Sequence, residues 1–142
     1  MNSFTKLALQ ASHVMNKQII ITASIFGILA VVFGAFGAHS LRTQISPSDL
    51  QIWKTAVDYQ FYHTLALVFL STFSRFKKGF IHLSFWFFTL GIIFFSGSLY
   101  LLATKNLITI SITPILGPLT PTGGLFFILG WISLLLAALK NK

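Results

Sequence analysis

The residues able to do chemistry crowd into one stretch, Trp53-Lys54-Thr55-Ala56-Val57-Asp58-Tyr59-Gln60-Phe61-Tyr62-His63-Thr64-Leu65-Ala66, where polar and ionisable side chains run into a segment apolar enough to enter a bilayer. On a helix advancing about 100° per residue, Trp53, Ala56, Gln60, His63, Thr64 and Leu67 share one face, while Asp58 and Tyr62 lie on the other. Lipid offers a polar group no partner, so such a row turns toward other helices or trapped water. Two chemistries suit it. Gln60 and His63 can bond across helices and fix the packing, or histidine, which titrates near neutrality, can gate a solute or relay protons.

Composition sets the medium in which that stretch works. The chain has 142 residues, 55% of them hydrophobic and only 8% charged, with a mean hydropathy of +0.83; a soluble domain carries about 25% charge. This is an all-α integral membrane protein, and the length allows a single membrane domain, 1–142. The net charge of +8 does not point to nucleic acid, because no basic run is longer than Lys77-Lys78 and no long polar segment could carry a binding module. The absence of cysteine removes disulfides, thiolate metal sites and thiol nucleophiles.

Four apolar runs supply the elements that position the row. After a polar segment, 1–18, with Phe4, Leu7, Ala8, Ala11 and Met15 on one face, Ile19 to Ala38 is 20 residues without a charge, enough to span about 30 Å of hydrocarbon. This first helix, 19–39, mimics a signal peptide at its start, but its apolar run is full spanning length and is expected to stay. The second is expected over 50–74, with Ser46 or Ser48 as its cap and Asp49 in the first turn. The third covers 80–103 and is rich in phenylalanine; the fourth covers 121–139. The 104–120 connection contains Pro114 and Pro118, and Pro121 follows it; these exclude a long continuous helix and suggest an extended or partly re-entrant outer segment. Gly27, Gly34, Gly37, Gly91, Gly97, Gly123 and Gly124 are the expected sites of close helix packing.

Seven of the ten basic residues fall in the N-terminal segment, the turn between helices 2 and 3, and the C-terminus. By the positive-inside rule both termini then face the cytoplasm in a four-helix transmembrane bundle. Counting inward at about 1.5 Å per residue, His39, Trp53, Tyr59, Gln60, Ser96, Ser98, Tyr100 and Thr120 occupy the outer half, and His63 is deepest, about 16 Å from Ser74. The expectation is a polar cluster, or an outward-facing pocket tapering to His63.

Gly34-Ala35-Phe36-Gly37-Ala38-His39, Trp53 with Tyr59-Gln60 and His63-Thr64-Leu65-Ala66, Phe95-Ser96-Gly97-Ser98-Leu99-Tyr100, Thr120-Pro121-Thr122-Gly123-Gly124 and Gly130-Trp131 carry a resemblance. In order and spacing they resemble the small four-helix membrane proteins of the YgdD or transmembrane-protein-256-like family, domain of unknown function family 423. The departures are an N-terminal extension of about 15 residues and a longer connection between helices 3 and 4. The resemblance implies a bacterial inner-membrane or mitochondrial setting and no established activity. Three function classes follow. The first is a structural or assembly component in the bilayer, acting as a homo-oligomer or with a partner membrane protein. The second is a binding or transport module for a small solute, proton or lipid headgroup. The third, a membrane redox enzyme, ranks last: no hydrolase, zinc or phosphate motif is present, the chain has no glutamate, and His39 and His63 differ in depth, so no catalytic residue, metal or cofactor is assigned.

Overall fold

Runs of some twenty apolar residues can satisfy their backbone in lipid only as helices or closed barrels, and every regular element among the described residues is helical. The structure is a computed structural model that describes residues 3–73, 78–107 and 113–140, with side chains described over 16–73, 79–107 and 116–140. Helix α1 runs Ser3–His39, so the polar N-terminal segment continues the first apolar run as one helix of 37 residues. A short 3-10 turn, Leu41–Thr43, tucks Leu41 into the core before α2.

Helix α2, Pro47–Leu70, starts earlier than its apolar pattern because Ser46 caps it: the Ser46 hydroxyl accepts from the Asp49 N–H at 3.1 Å and lies 2.7 Å from the Asp49 carboxylate, with Pro47 at the first helical position. It also ends earlier, at Leu70. The Ser71 and Thr72 hydroxyls there donate to the carbonyls of Val68 and Phe69, each at 2.7 Å, and close the last turn. Of the basic turn expected at Arg75 to Gly79, residues 75–77 lie outside the described residues, and Lys78 and Gly79 begin the next helix.

The third apolar run forms a rod of three pieces: α3 (Lys78–Gly91), a π turn (Ile92–Ser96) and α4 (Gly97–Ala103). Helix α5, Thr113–Leu139, takes in much of the expected outer connection and contains Pro118 and Pro121. The expectation that these prolines bar a continuous helix is corrected. Each removes a single N–H, and the helix runs on through both, as membrane helices tolerate proline; the Thr120 and Thr122 hydroxyls add bonds to the carbonyls of Leu116 (3.4 Å) and Pro118 (2.8 Å) in the same turns. Residues 108–112, the β-branched middle of that connection, lie outside the described residues.

Among the described residues, three stretches are long and apolar enough to cross a membrane: Asn16–Thr43, Gly79–Ala103 and Leu116–Leu139. Helix α2 matches them in length, at 24 residues, and its polar residues keep it out of that set. Helix α1 packs along α2, α3 packs along α5, and the π turn and α4 lie between α2 and α5. The larger core gathers Ile19, Leu67, Phe88, Ile92 and Phe127 from α1, α2, α3, the π turn and α5; a smaller one, around Leu41, Trp53 and Ala103, closes the end near the α1–α2 loop.

Candidate functional site

The inner face of α2 is the polar row. Trp53, Ala56, Gln60, His63, Thr64 and Leu67 are buried, while Asp58 and Tyr62 are exposed. Each polar member reaches an acceptor or donor on another helix or on its own backbone. Trp53 donates its indole N–H to the Phe33 carbonyl of α1 at 2.9 Å. Gln60 is bound at both ends: its amide nitrogen donates to the Phe26 carbonyl at 2.8 Å, and its amide oxygen accepts from the Tyr100 hydroxyl of α4 at 2.8 Å. One side chain thus ties three helices. Thr64 donates back to the Gln60 carbonyl at 2.7 Å.

His63 is enclosed differently. Its ring lies flat on Phe127 of α5, centroids 3.5 Å apart and planes 9° from parallel. The Trp131 indole can only donate, so His63 Nε2 accepts from it, at 3.4 Å. That leaves the proton on Nδ1, which donates to the Tyr59 carbonyl at 2.8 Å. Both ring nitrogens are occupied, and the imidazole is held as a neutral packing element between α2 and α5.

The remaining predicted residues divide. Ser98 and Thr120 meet, 2.7 Å apart, across the α4–α5 seam. Tyr59 contributes its carbonyl to His63 and packs its ring on Phe95 at 4.6 Å, although the residue is 40% exposed. Ser96 is buried in the π turn, and its hydroxyl has no partner among the described residues. His39 stands apart: it is exposed at the end of α1 and does not enter the cluster, because the turn at Leu41 carries the chain away before α2 begins. Among the described residues no three His, Cys, Asp or Glu side chains gather closely enough to hold a metal ion.

Glycine contacts divide as well. A Cβ on Gly37 would stand 2.6 Å from the Trp53 indole, and one on Gly123 would strike the Phe95 backbone. Gly91 meets Phe127 in the same way, Gly27 and Gly34 leave ordinary contact distances of 3.6 Å, and Gly124 leaves 3.8 Å. Gly97 differs from the expectation: nothing lies within 4 Å of its Cβ position.

Two open grooves flank α5. One, about 540 Å³, lies beside Leu99, Leu116 and Thr120; the other, about 440 Å³, lies beside Tyr59, Phe127 and Trp131. Both are walled by apolar side chains, and Phe95, Pro121 and Gly124 separate them. Neither is the polar outer pocket that the sequence suggests; the polar atoms are spent on helix-to-helix bonds instead.

A family model described as "Protein of unknown function (DUF423)" matches residues 33–124, the segment that holds Trp53, Gln60, His63, Ser98, Tyr100 and Thr120. The chain belongs to the DUF423 family. It is 41% identical over 124 residues to a UPF0382 membrane protein of Staphylococcus aureus (strain bovine RF122 / ET3-1), covering 87% of this chain and 97% of that one. It is 42% identical over 127 residues to the UPF0382 membrane protein YwdK of Bacillus subtilis (strain 168), covering 87% and 98%. No solved structure matches. These DUF423 relatives are named as membrane proteins, in agreement with the three apolar spans.

The residues that sequence reasoning did not place in the cluster, Phe127, Trp131 and the carbonyl acceptors Phe26 and Phe33, all lie outside or at the edge of the DUF423 match. One signal was available for Trp131. It sits eight residues before Leu139, roughly 12 Å inside the span, whereas tryptophan favours the membrane interface.

Proposed function

We infer that this DUF423 protein is a structural or assembly component of the bacterial inner membrane, a single membrane domain of four spans with both termini in the cytoplasm, whose polar cluster holds helices together. The observation that carries the reading is Gln60, bonded at both ends of its amide to α1 and α4. Groups that bind or move a solute must keep a free donor or acceptor; the Trp53 indole and both His63 nitrogens are taken, and Gln60 has both ends of its amide committed to other helices. The fourth span is α2, whose 24 residues reach about 36 Å, and the orientation rests on the basic residues at the two ends and between α2 and α3.

A second reading, a binding module for a small solute or lipid, has one observation in its favour: the groove beside Tyr59, Phe127 and Trp131 touches the very side chains that pack His63. Native mass spectrometry of the protein released gently from its own membrane separates the two. The structural reading expects a defined oligomer carrying only bulk lipid. A non-lipid mass retained by the wild type and lost in His63→Leu would replace it with the second reading.

A further inference from the structure

Helix α2 has an outer face as well as an inner one, and it differs from the lipid-facing surfaces of its neighbours. Helix α1 exposes Ile25, Ile28, Leu29, Val31, Val32 and Phe36, and α5 exposes Leu125, Ile128, Ile132 and Leu135, nearly all aliphatic. The exposed face of α2 includes Tyr59, Tyr62 and Phe69, and one stripe of it, Gln51, Lys54, Asp58, Phe61, Leu65 and Val68, continued by Thr72 just after the helix, recurs at spacings of 3, 4, 3, 4, 3 and 4. That is the seam of a two-stranded coiled coil, and its outer part is charged.

The depth of that charge follows from the α1–α2 contacts. Gly37 faces Trp53 and Gly34 faces Val57, so Asp58 lies level with Phe33, five residues inside the apolar run that ends at Ala38. That is about 7 Å below the edge of the hydrocarbon. A short carboxylate cannot snorkel that far, and a charge left facing lipid is costly. Lys54 is one turn away on the same stripe, yet among the described residues the two form no ion pair with each other.

We propose that the outer face of α2 is a homodimer interface, in which Lys54 of each copy pairs with Asp58 of the other. Charge complementarity selects a second copy as the occupant. Two copies inserted in the same orientation are related by a two-fold axis along the membrane normal, which lays α2 parallel to α2. An isologous contact of this kind pairs residue i with j and j with i. A stripe with a cation and an anion one turn apart satisfies itself twice over under that operation. Phe61, Leu65 and Val68, each more than 40% exposed, then form the apolar remainder of the seam. The inference rests on the reading of the protein as an assembly component and names its partner.

The cysteine-free chain makes a direct test possible. Phe61→Cys and Leu65→Cys, oxidised in native membranes, are expected to give disulfide-linked dimers, while Ile28→Cys on the lipid face of α1 gives none. In the Leu65→Cys background, Lys54→Asp alone and Asp58→Lys alone each lose the homodimer. Co-expressed with different tags, these two variants cross-link to each other. Ser46→Cys, labelled from outside by an impermeant thiol reagent, checks that every variant keeps the expected orientation. Equal cross-linking at Ile28 and Leu65, no cross-linking at either α2 position, or no preference for the mixed pair would overturn the proposal. Unchanged melting of Lys54→Asp in detergent, beside a large loss in Gln60→Leu, would leave the intramolecular role of the polar cluster standing even if the dimer fails.

Discussion

The α1–α2–α4 side and the α3–α5 side of this bundle solve the same problem by different means. Lipid gives helices no hydrophobic reason to associate, so cohesion must come from close packing or from polar bonds. On the first side, Trp53, Gln60 and Tyr100 send hydrogen bonds across helix boundaries. On the second, Gly91, Gly123 and Gly130 let aromatic rings and backbone approach until no Cβ would fit, with Phe88, Phe95 and Phe127 filling the space. His63 stands where the two meet, stacked on Phe127 and bonded by Trp131. Polar ties set which helices are neighbours, and steric fit sets how near they come.

If that division is right, the steric side should break hardest. Gly123→Val would place side-chain carbons against the Phe95 backbone, which cannot turn away as a side chain can. Overpacking of this kind costs about 1–3 kcal/mol, and here the upper end is expected. Gly97→Ala, with nothing near its Cβ position, should leave thermal unfolding in detergent unchanged or slightly raised, since alanine is the better helix former by about 1 kcal/mol. Equal losses from the two would mean that the π turn, and not the contact, is the sensitive feature.

The polar side should yield next. Gln60→Leu strands the Tyr100 hydroxyl and frees the Phe26 carbonyl; at about 0.6 kcal/mol per membrane hydrogen bond, with a maximum near 1.7, the loss is about 1–2 kcal/mol. His63→Leu, which forfeits the Phe127 stack and the Trp131 bond, belongs in the same range. His82→Leu is the control: His82 is exposed and accepts only from Trp86 on its own helix, at 2.9 Å. Melting curves that coincide for all three variants would refute the idea that these bonds hold the bundle.

Much of this was legible in the chain. The buried face of α2 follows from helical spacing alone, since Trp53, Ala56, Gln60, His63, Thr64 and Leu67 differ by threes and fours, and Gln60, Ser98 and Thr120 are polar groups that lipid cannot satisfy. What spacing cannot supply is the neighbour. That Gln60 finds the backbone of Phe26, and His63 finds Trp131, depends on how far helices slide past one another, and the sliding is set by glycine contacts such as Gly37 on Trp53. The start of α5 is illegible for a related reason: each proline deletes a single N–H bond, and the turns on either side carry the helix across the gap. His39 was misplaced because a residue at a span's end can belong to the bundle or to the loop, and the loop won.

The smallest expected effect carries a sign, which makes it the sharpest test of the boundary between the two sides. Ser96 and Ser98 are two residues apart, both essentially inaccessible, one inside the π turn and one just beyond it. The Ser98 hydroxyl has two neighbours, the Phe95 carbonyl at 2.9 Å and Thr120 at 2.7 Å, so Ser98→Ala should lower stability by about 0.6 kcal/mol. Ser96 Oγ has no partner among the described residues, and a buried hydroxyl left unpaired costs stability, so its removal should be neutral or favourable. Ser96→Ala is therefore expected to raise the melting temperature while Ser98→Ala lowers it. A loss from both would mean that the π turn holds a water or other polar partner for Ser96, and that the tightly packed side of the bundle is also tied by polar bonds.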